Sequence, residues 1–226
     1  MPSVIAHELF HGVGGADLLT GASFEAEAGA LTAVVGPSGS GKTTLLHLLA
    51  GLDRPRSGSI VLDGTPLASL DELALTRLRR DRIGLLLPTP SMLPTVTMAE
   101  NVALPLLIAQ RPLPREAIDS LLARVGLGGR GPASTRELSS DERQRAALAR
   151  ALAGGPSILL CDEPAAQLSP DETGSLLALL RDVAHREGIA VVLFTRDHAA
   201  ASSIADRVFG MEAGRVVAPG AEAVAA

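Results

Sequence analysis

The hydrophobic pattern along the chain alternates between short buried runs and amphipathic stretches. Leu31 to Val35 reads as a buried strand, followed by a glycine-rich turn and an apolar helix from about Lys42 to Ala50 that Gly51 stops. Ser59 to Leu62 reads as a short strand ending in the Asp63-Gly64 turn signal, and Asp71 to Arg82 as an exposed, charge-rich helix. The middle then changes character. Six prolines fall between Pro88 and Gly131, around two helical stretches: one opened by the capping box Thr97 to Glu100, the other running from Arg115 to Val125. This predicts a mostly helical insert. A second capping box, Ser139 to Glu142, opens a helix that ends at Gly154-Gly155, and Ser157 to Cys161 follows as a continuous apolar strand. Ser169-Pro170 opens a further helix ended by Gly188. After it come a strand from Ile189 to Phe194, a short helix after Asp197, strands around Val208 and Val216, and an alanine-rich end after Pro219 expected to fray. The alternation of strands and helices predicts an α/β fold on a largely parallel sheet, with no internal repeat. A chain of 226 residues fits one large domain with a subdomain.

Composition narrows the function. Apolar residues make up 46% of the chain, yet no run approaches the roughly 18 residues that span a bilayer, and no signal segment opens the chain. The expectation is a soluble, unprocessed protein. One cysteine, Cys161, permits no internal disulfide and fits a reducing, cytosolic compartment. A net charge of -5, with four Phe and no Trp or Tyr, lacks both the basic footprint and the stacking surface of a nucleic-acid binder. Among 20 basic residues the only lysine is Lys42. A chain that otherwise uses Arg keeps an ammonium at one position, where a compact charge on a flexible stem is required.

That position lies in a motif. Gly36, Pro37, Ser38, Gly39, Ser40, Gly41, Lys42 and Thr43 fit the pattern G-x-x-x-x-G-K-[ST], between a predicted strand and a predicted helix, and Thr44 continues into that helix. Glycines let backbone N–H groups converge on phosphates, and the helix N-terminus adds partial positive charge. Lys42 reaches the β and γ phosphates, and the Thr43 hydroxyl ligates Mg²⁺. The predicted ligands are therefore ATP and Mg²⁺. Downstream, the strand through Cys161 ends in adjacent carboxylates. Asp162 would hold Mg²⁺ through its water shell, and Glu163 would orient and deprotonate an attacking water. A solvated acidic pair is the alternative, disfavoured beside a phosphate loop. Cys161 reads as a small buried apolar residue.

Taken together, the chain resembles the ATP-binding subunits of ABC transporters, with a likeness to the ATPases of macrolide-exporter, lipoprotein-release and cell-division systems. The resemblance rests on Gly36 to Thr44, Gly51 to Gly58, Arg82 to Gly84, Leu93 to Thr97 with Glu100 to Val102, Gln144-Arg145 leading to Ala149 to Leu152, and Asp162 to Pro164. It covers nearly the whole chain. It implies a P-loop NTPase (RecA-like) core of about residues 1–87 and 156–226, with an antiparallel N-terminal β part, and a helical subdomain of about residues 88–155. It also implies a head-to-tail dimer, homodimeric or with a second ATP-binding subunit, closing around two ATP molecules to drive a membrane permease from the cytoplasmic face. The family stacks adenine on an aromatic ring upstream of the loop. Phe10 and His11 occupy that region, although Phe10 equally fits a core position and His11 a surface one.

The departures from the family pattern fall where hydrolysis is sensed. Pro88 stands where the family has Gln, so no side-chain amide reaches the metal or its water. The glycines of the signature segment become Ser140 and Asp141, Ser169 replaces an Asp, and Arg196 replaces the switch His. Asp141 would set a negative charge near a γ-phosphate, a repulsion of about 3 to 4 kcal/mol at about 5 Å and an effective dielectric near 20. Arg196 would hold ATP without positioning water, or pair with a nearby carboxylate. The reading is an ATPase with impaired hydrolysis; the alternative is a non-hydrolysing regulatory subunit paired with a competent ATPase.

Overall fold

A computed structural model describes residues 2–217; the end after Pro219 lies outside the described residues. In chain order the elements begin with β1 (Pro2–Val13), β2 (Ala16–Glu27), β3 (Leu31–Val35), α1 (Lys42–Leu49), β4 (Ser57–Leu62), β5 (Thr65–Pro66), α2 (Glu72–Arg82) and β6 (Ile83–Leu86). A helical stretch follows, with α3 (Met98–Ile108), α4 (Arg115–Arg124) and α5 (Ser140–Leu152). The chain then returns through β7 (Ile158–Asp162), α6 (Pro170–Glu187), β8 (Ala190–Thr195), α7 (His198–Ile204), β9 (Arg207–Glu212) and β10 (Arg215–Val217).

Two sheets result. The larger has the order β10-β9-β3-β8-β7-β6 and is parallel except for the β9–β10 hairpin. The smaller, β2-β1-β4-β5, is antiparallel throughout. The central strands are buried on both faces, and their alternation divides the core in two. Leu31, Ala33, Leu159, Cys161, Val191 and Leu193 face the helices α5 and α6, whereas Val34, Ile158, Leu160, Val192 and Phe194 face α1 and the antiparallel sheet. Parallel pairing needs crossover helices on both faces, and this double burial is its signature in sequence.

The predicted helix starts are present. Glu142 N–H donates to Ser139 Oγ at 3.1 Å while Ser139 N–H donates to Glu142 Oε2 at 3.0 Å, and Thr97 with Glu100 forms the same reciprocal box. Asp71 caps α2 by accepting from Ala74 N–H at 2.7 Å. Among the described residues no helix is long and apolar enough to cross a membrane.

Cys161 sits fully buried in the middle of the parallel sheet, and burial pushes its thiol well above the ordinary cysteine range. A thiol reagent should therefore modify Cys161 only at the rate of unfolding. Labelling within seconds under native conditions, followed by absorbance, would contradict this placement.

Candidate functional site

The site is a product of strand register. β3 pairs with β8 so that Val35 lies opposite Thr195, and β8 pairs with β7 so that Phe194 lies opposite Asp162. All three strands run in parallel, so the residues following them emerge at one edge. That edge is the carboxyl end of the sheet, where ligands of open α/β folds bind. Backbone bonds fix the exits: Gly36 N–H donates to Thr195 O at 3.2 Å, and Glu163 N–H to Phe194 O at 2.9 Å.

From β3 the chain turns through a loop that only glycine permits at two points. Gly39 and Gly41 have φ of 79° and 105°, and a Cβ on Gly41 would lie 2.8 Å from Leu18 O and 2.9 Å from Met211 Cε. Gly41 caps α1 without a side chain, so the first N–H groups of this helix point into the loop unblocked. The first residue of α1 is Lys42. Its side chain is 6% exposed, and Nζ donates to Gly36 O at 2.7 Å and to Pro37 O at 2.9 Å. Burial pushes this ammonium below the ordinary lysine range, against the opposing pull of Glu163 and Asp162. The Thr43 hydroxyl donates to Asp162 Oδ2 at 2.9 Å. A hydroxyl and a carboxylate side by side form the hard oxygen donor set that suits Mg²⁺. Ser40 Oγ is buried without a hydrogen-bond partner. Together with the buried lysine, these groups fit a Mg²⁺-bound polyphosphate.

A cleft of about 330 Å³ opens here, and Ser38, Gly39, Gly41, Lys42, Thr43, Thr44, Asp162, Glu163, Arg196, Pro88 and Leu18 line it. A wider cleft of about 660 Å³ adjoins it beneath Glu163 and Arg196. Glu163 has φ 42°, a left-handed conformation uncommon for a residue with a side chain. Its carboxylate meets Arg196 Nε at 3.2 Å and Lys42 Nζ at 4.0 Å. Of the two roles anticipated for Arg196, the structure shows the pairing with a carboxylate, and that carboxylate is Glu163.

Phe10 and His11 do not line the cleft. Phe10 is 43% exposed, and its ring lies against Gly21. His11 is buried rather than superficial, with Nδ1 3.1 Å from Arg54 O and Nε2 3.2 Å from Asp53 Oδ2. Besides Pro88, the apolar residue at the cleft is Leu18, on β2, which nothing local in the sequence distinguishes from Leu19 beside it. Pro88 does line the cleft, and the neighbouring Leu87 carbonyl accepts from the buried Gln144 amide at 3.0 Å.

Around Asp141 the structure corrects the charge argument. Asp141 Oδ2 accepts from Arg145 Nε at 2.6 Å in a largely buried pair, and Arg145 also donates to Val125 O and Ser175 Oγ. The negative charge is thus neutralised inside its own helix, and the repulsion expected toward a phosphate shrinks accordingly. Ser169 N–H and Oγ both donate to Glu172 Oε2, at 2.9 and 2.7 Å, which keeps the start of α6 closed.

The family described as ABC transporter matches residues 19–166, about two thirds of the chain, including the phosphate loop and both carboxylates. The chain belongs to the ABC transporter family. Among curated relatives, this ABC chain is 42% identical over 209 residues to the methionine import ATP-binding protein MetN of Rhodospirillum rubrum, covering 92% of the chain and 59% of that protein. It is 39% identical over 210 residues to MetN of Caulobacter vibrioides, covering 92% and 63%. The chain thus spans about three fifths of these relatives' length. Among solved structures, a post-hydrolysis dimer of the ATP-binding cassette MJ0796 bound to ADP and Pi superposes with a TM-score of 0.83 at 30% identity, over 94% of this chain and 96% of that one. CbiO1 from Clostridium perfringens, part of the ABC transporter complex cbiONQ, gives 0.87 at 28% identity, over 96% and 87%. The P-loop α/β fold expected of an ABC cassette is therefore present.

Removing one partner of a largely buried ion pair strands the other charge. Asp141→Ala should lower stability by about 2 kcal/mol, against less than about 0.5 for the neighbouring Ser140→Ala. Urea unfolding of both variants checks this; equal midpoints would show that the Arg145 pair contributes nothing.

Proposed function

We propose that this chain is the ATP-binding subunit of an ABC transporter, which binds Mg-ATP, hydrolyses it slowly and passes its nucleotide state to a membrane permease. The observation that carries this reading is the meeting of Lys42, Thr43, Asp162 and Glu163 at one edge of the parallel sheet, reached from two separate strands, β3 and β7. Lys42 would leave the Gly36 and Pro37 carbonyls for the phosphates, and the α1 N-terminus would hold them. Mg²⁺ at Thr43 and Asp162 would neutralise phosphate charge. Glu163 would accept the proton of the attacking water, and Leu18 would give the base an apolar contact in place of Phe10 or His11.

In this reading residues 1–87 and 156–226 form the nucleotide-binding core and residues 88–155 a helical subdomain. Two such subunits, identical or different, close over the nucleotides, and the assembly sits on the cytoplasmic face of the membrane through the permease. Slow hydrolysis follows from four positions. Pro88 offers no amide to the metal or its water, Ser140 and Asp141 cannot bring bare backbone to a phosphate as glycines do, and Arg196 holds the base. Ser169 adds a fifth departure without a visible cost to the fold. The pairing of Arg196 with Glu163 also favours a second reading, a subunit that binds ATP without hydrolysing it and leaves turnover to a competent partner.

Lys42→Ala should lose Mg-ATP binding, because the variant removes the one buried ammonium at the phosphates. Titration calorimetry on parent and variant decides it, and equal affinities would overturn the assignment of the loop. Turnover of the parent should be slow, and Arg196→His with Ser140→Gly should raise it at least about tenfold, equivalent to about 1.4 kcal/mol of barrier. Brisk phosphate release by the parent would remove the case for impairment.

A further inference from the structure

Glu163 is the most heavily restrained carboxylate of the site. Arg196 Nε lies 3.2 Å from Oε1, and Lys42 Nζ approaches the same oxygen at 4.0 Å. Oε2 accepts from Thr195 Oγ1 and from the Arg196 backbone N–H, both at 3.3 Å. Oε2 is thus held by two donors, and the Arg196 guanidinium stands against Oε1, so that a water reaches that oxygen freely only once the guanidinium has moved. The two sides of this arrangement differ in mobility. The bonds to Oε2 come from Thr195, the last residue of β8, and from the backbone directly after it, whereas the Arg196 side chain is 60% exposed against 19% for Glu163. The guanidinium is the part that can swing away, leaving the carboxylate aimed by the strand end.

We propose that Arg196 restrains Glu163 until the terminal phosphate of a nucleoside triphosphate takes the guanidinium, so that only a triphosphate frees Oε1 of the base. The inference rests on the nucleotide reading of the loop. An ion pair with one exposed partner is weak, and a phosphate dianion offers the same guanidinium two charge-assisted bonds, so the exchange is downhill. A diphosphate lacks that terminal phosphate and leaves the pair closed. Arg196 acts here as a positioning residue. It sets the availability of Glu163 and ties that availability to the length of the phosphate chain.

Because coupling between two sites is reciprocal, the restraint is measurable as binding without turnover. Calorimetry with Mg-AMP-PNP and with Mg-ADP on the parent, Glu163→Gln, Arg196→Gln and the double variant forms a complete cycle. Glu163→Gln should free Arg196 and tighten AMP-PNP by about fivefold or more while changing ADP less than about twofold, and in the Arg196→Gln background that gain should vanish. Arg196→Lys, which keeps the charge but not the fork, should retain part of it. If the gain persists undiminished without Arg196, it is simple relief of charge repulsion and the restraint is overturned while the nucleotide site stands. If the parent binds neither nucleotide, the reading of the loop fails and the restraint falls with it.

Discussion

Parallel pairing of β3 with β8 and of β8 with β7 is the constraint on which the site depends. A slip of one residue in either pairing would turn each strand's buried residues to the opposite face, which two packed cores forbid. The same register fixes where Gly36, Glu163 and Arg196 leave the sheet. The precision of the site is thus supplied by apolar side chains that never touch it. Val34, Leu160 and Phe194 fix the strand positions to which Lys42, Asp162 and Glu163 are attached.

With the strands fixed, charge governs the remainder. Two cations, Lys42 and Arg196, face two carboxylates, Asp162 and Glu163, across a cleft of about 330 Å³. At 4 Å and an effective dielectric of 20, one such attraction is about 4 kcal/mol before desolvation is counted. Desolvation opposes it most at Lys42, which is almost fully buried, and least at Arg196, which faces solvent. The four groups are therefore balanced unequally. Lys42 is held by the backbone carbonyls of its own loop, Asp162 by the Thr43 hydroxyl, and Glu163 by Arg196 together with the Thr195 hydroxyl.

What could be read from the sequence follows the range of the interactions involved. The phosphate loop was legible because its geometry is set by contiguous residues, and the capping boxes because each closes within one turn. The strands β1 and β2 escaped residue-level reading for a physical reason. β1 carries a left-handed Glu8 and register shifts against both neighbours, which break the period-two pattern, while much of the buried face of β2 is alanine, too small to mark one side as apolar. The partner of Arg196 lies 33 residues away in sequence and the ties of Arg145 reach Ser175 30 residues on. Spacing of that kind carries no local signal. The Asp141–Arg145 pair, by contrast, is an i,i+4 contact whose spacing is a local signal, overlooked when Asp141 is weighed against a phosphate and not against its own helix.

The same long-range ties bear on how the nucleotide edge communicates with the helical stretch. The segment after β6 carries Pro88 and Pro90, whose fixed φ angles and missing N–H groups stiffen it. Three side chains then fasten that segment from outside. Gln144 donates to Leu87 O at 3.0 Å, Arg150 to Ser91 O at 2.6 Å, and Gln167 to Thr89 Oγ1 at 3.1 Å. Two of these come from α5, the helix capped by Ser139 and Glu142, and one from the loop between Glu163 and α6. Pro88 itself lines the nucleotide cleft. A displacement at Glu163 therefore meets a strut tied to α5 and to its own loop, with little slack between them. This arrangement either transmits the movement to α5 as a unit or resists it, and the exposed Arg196 side chain is left as the part of the site with most freedom to respond to a ligand.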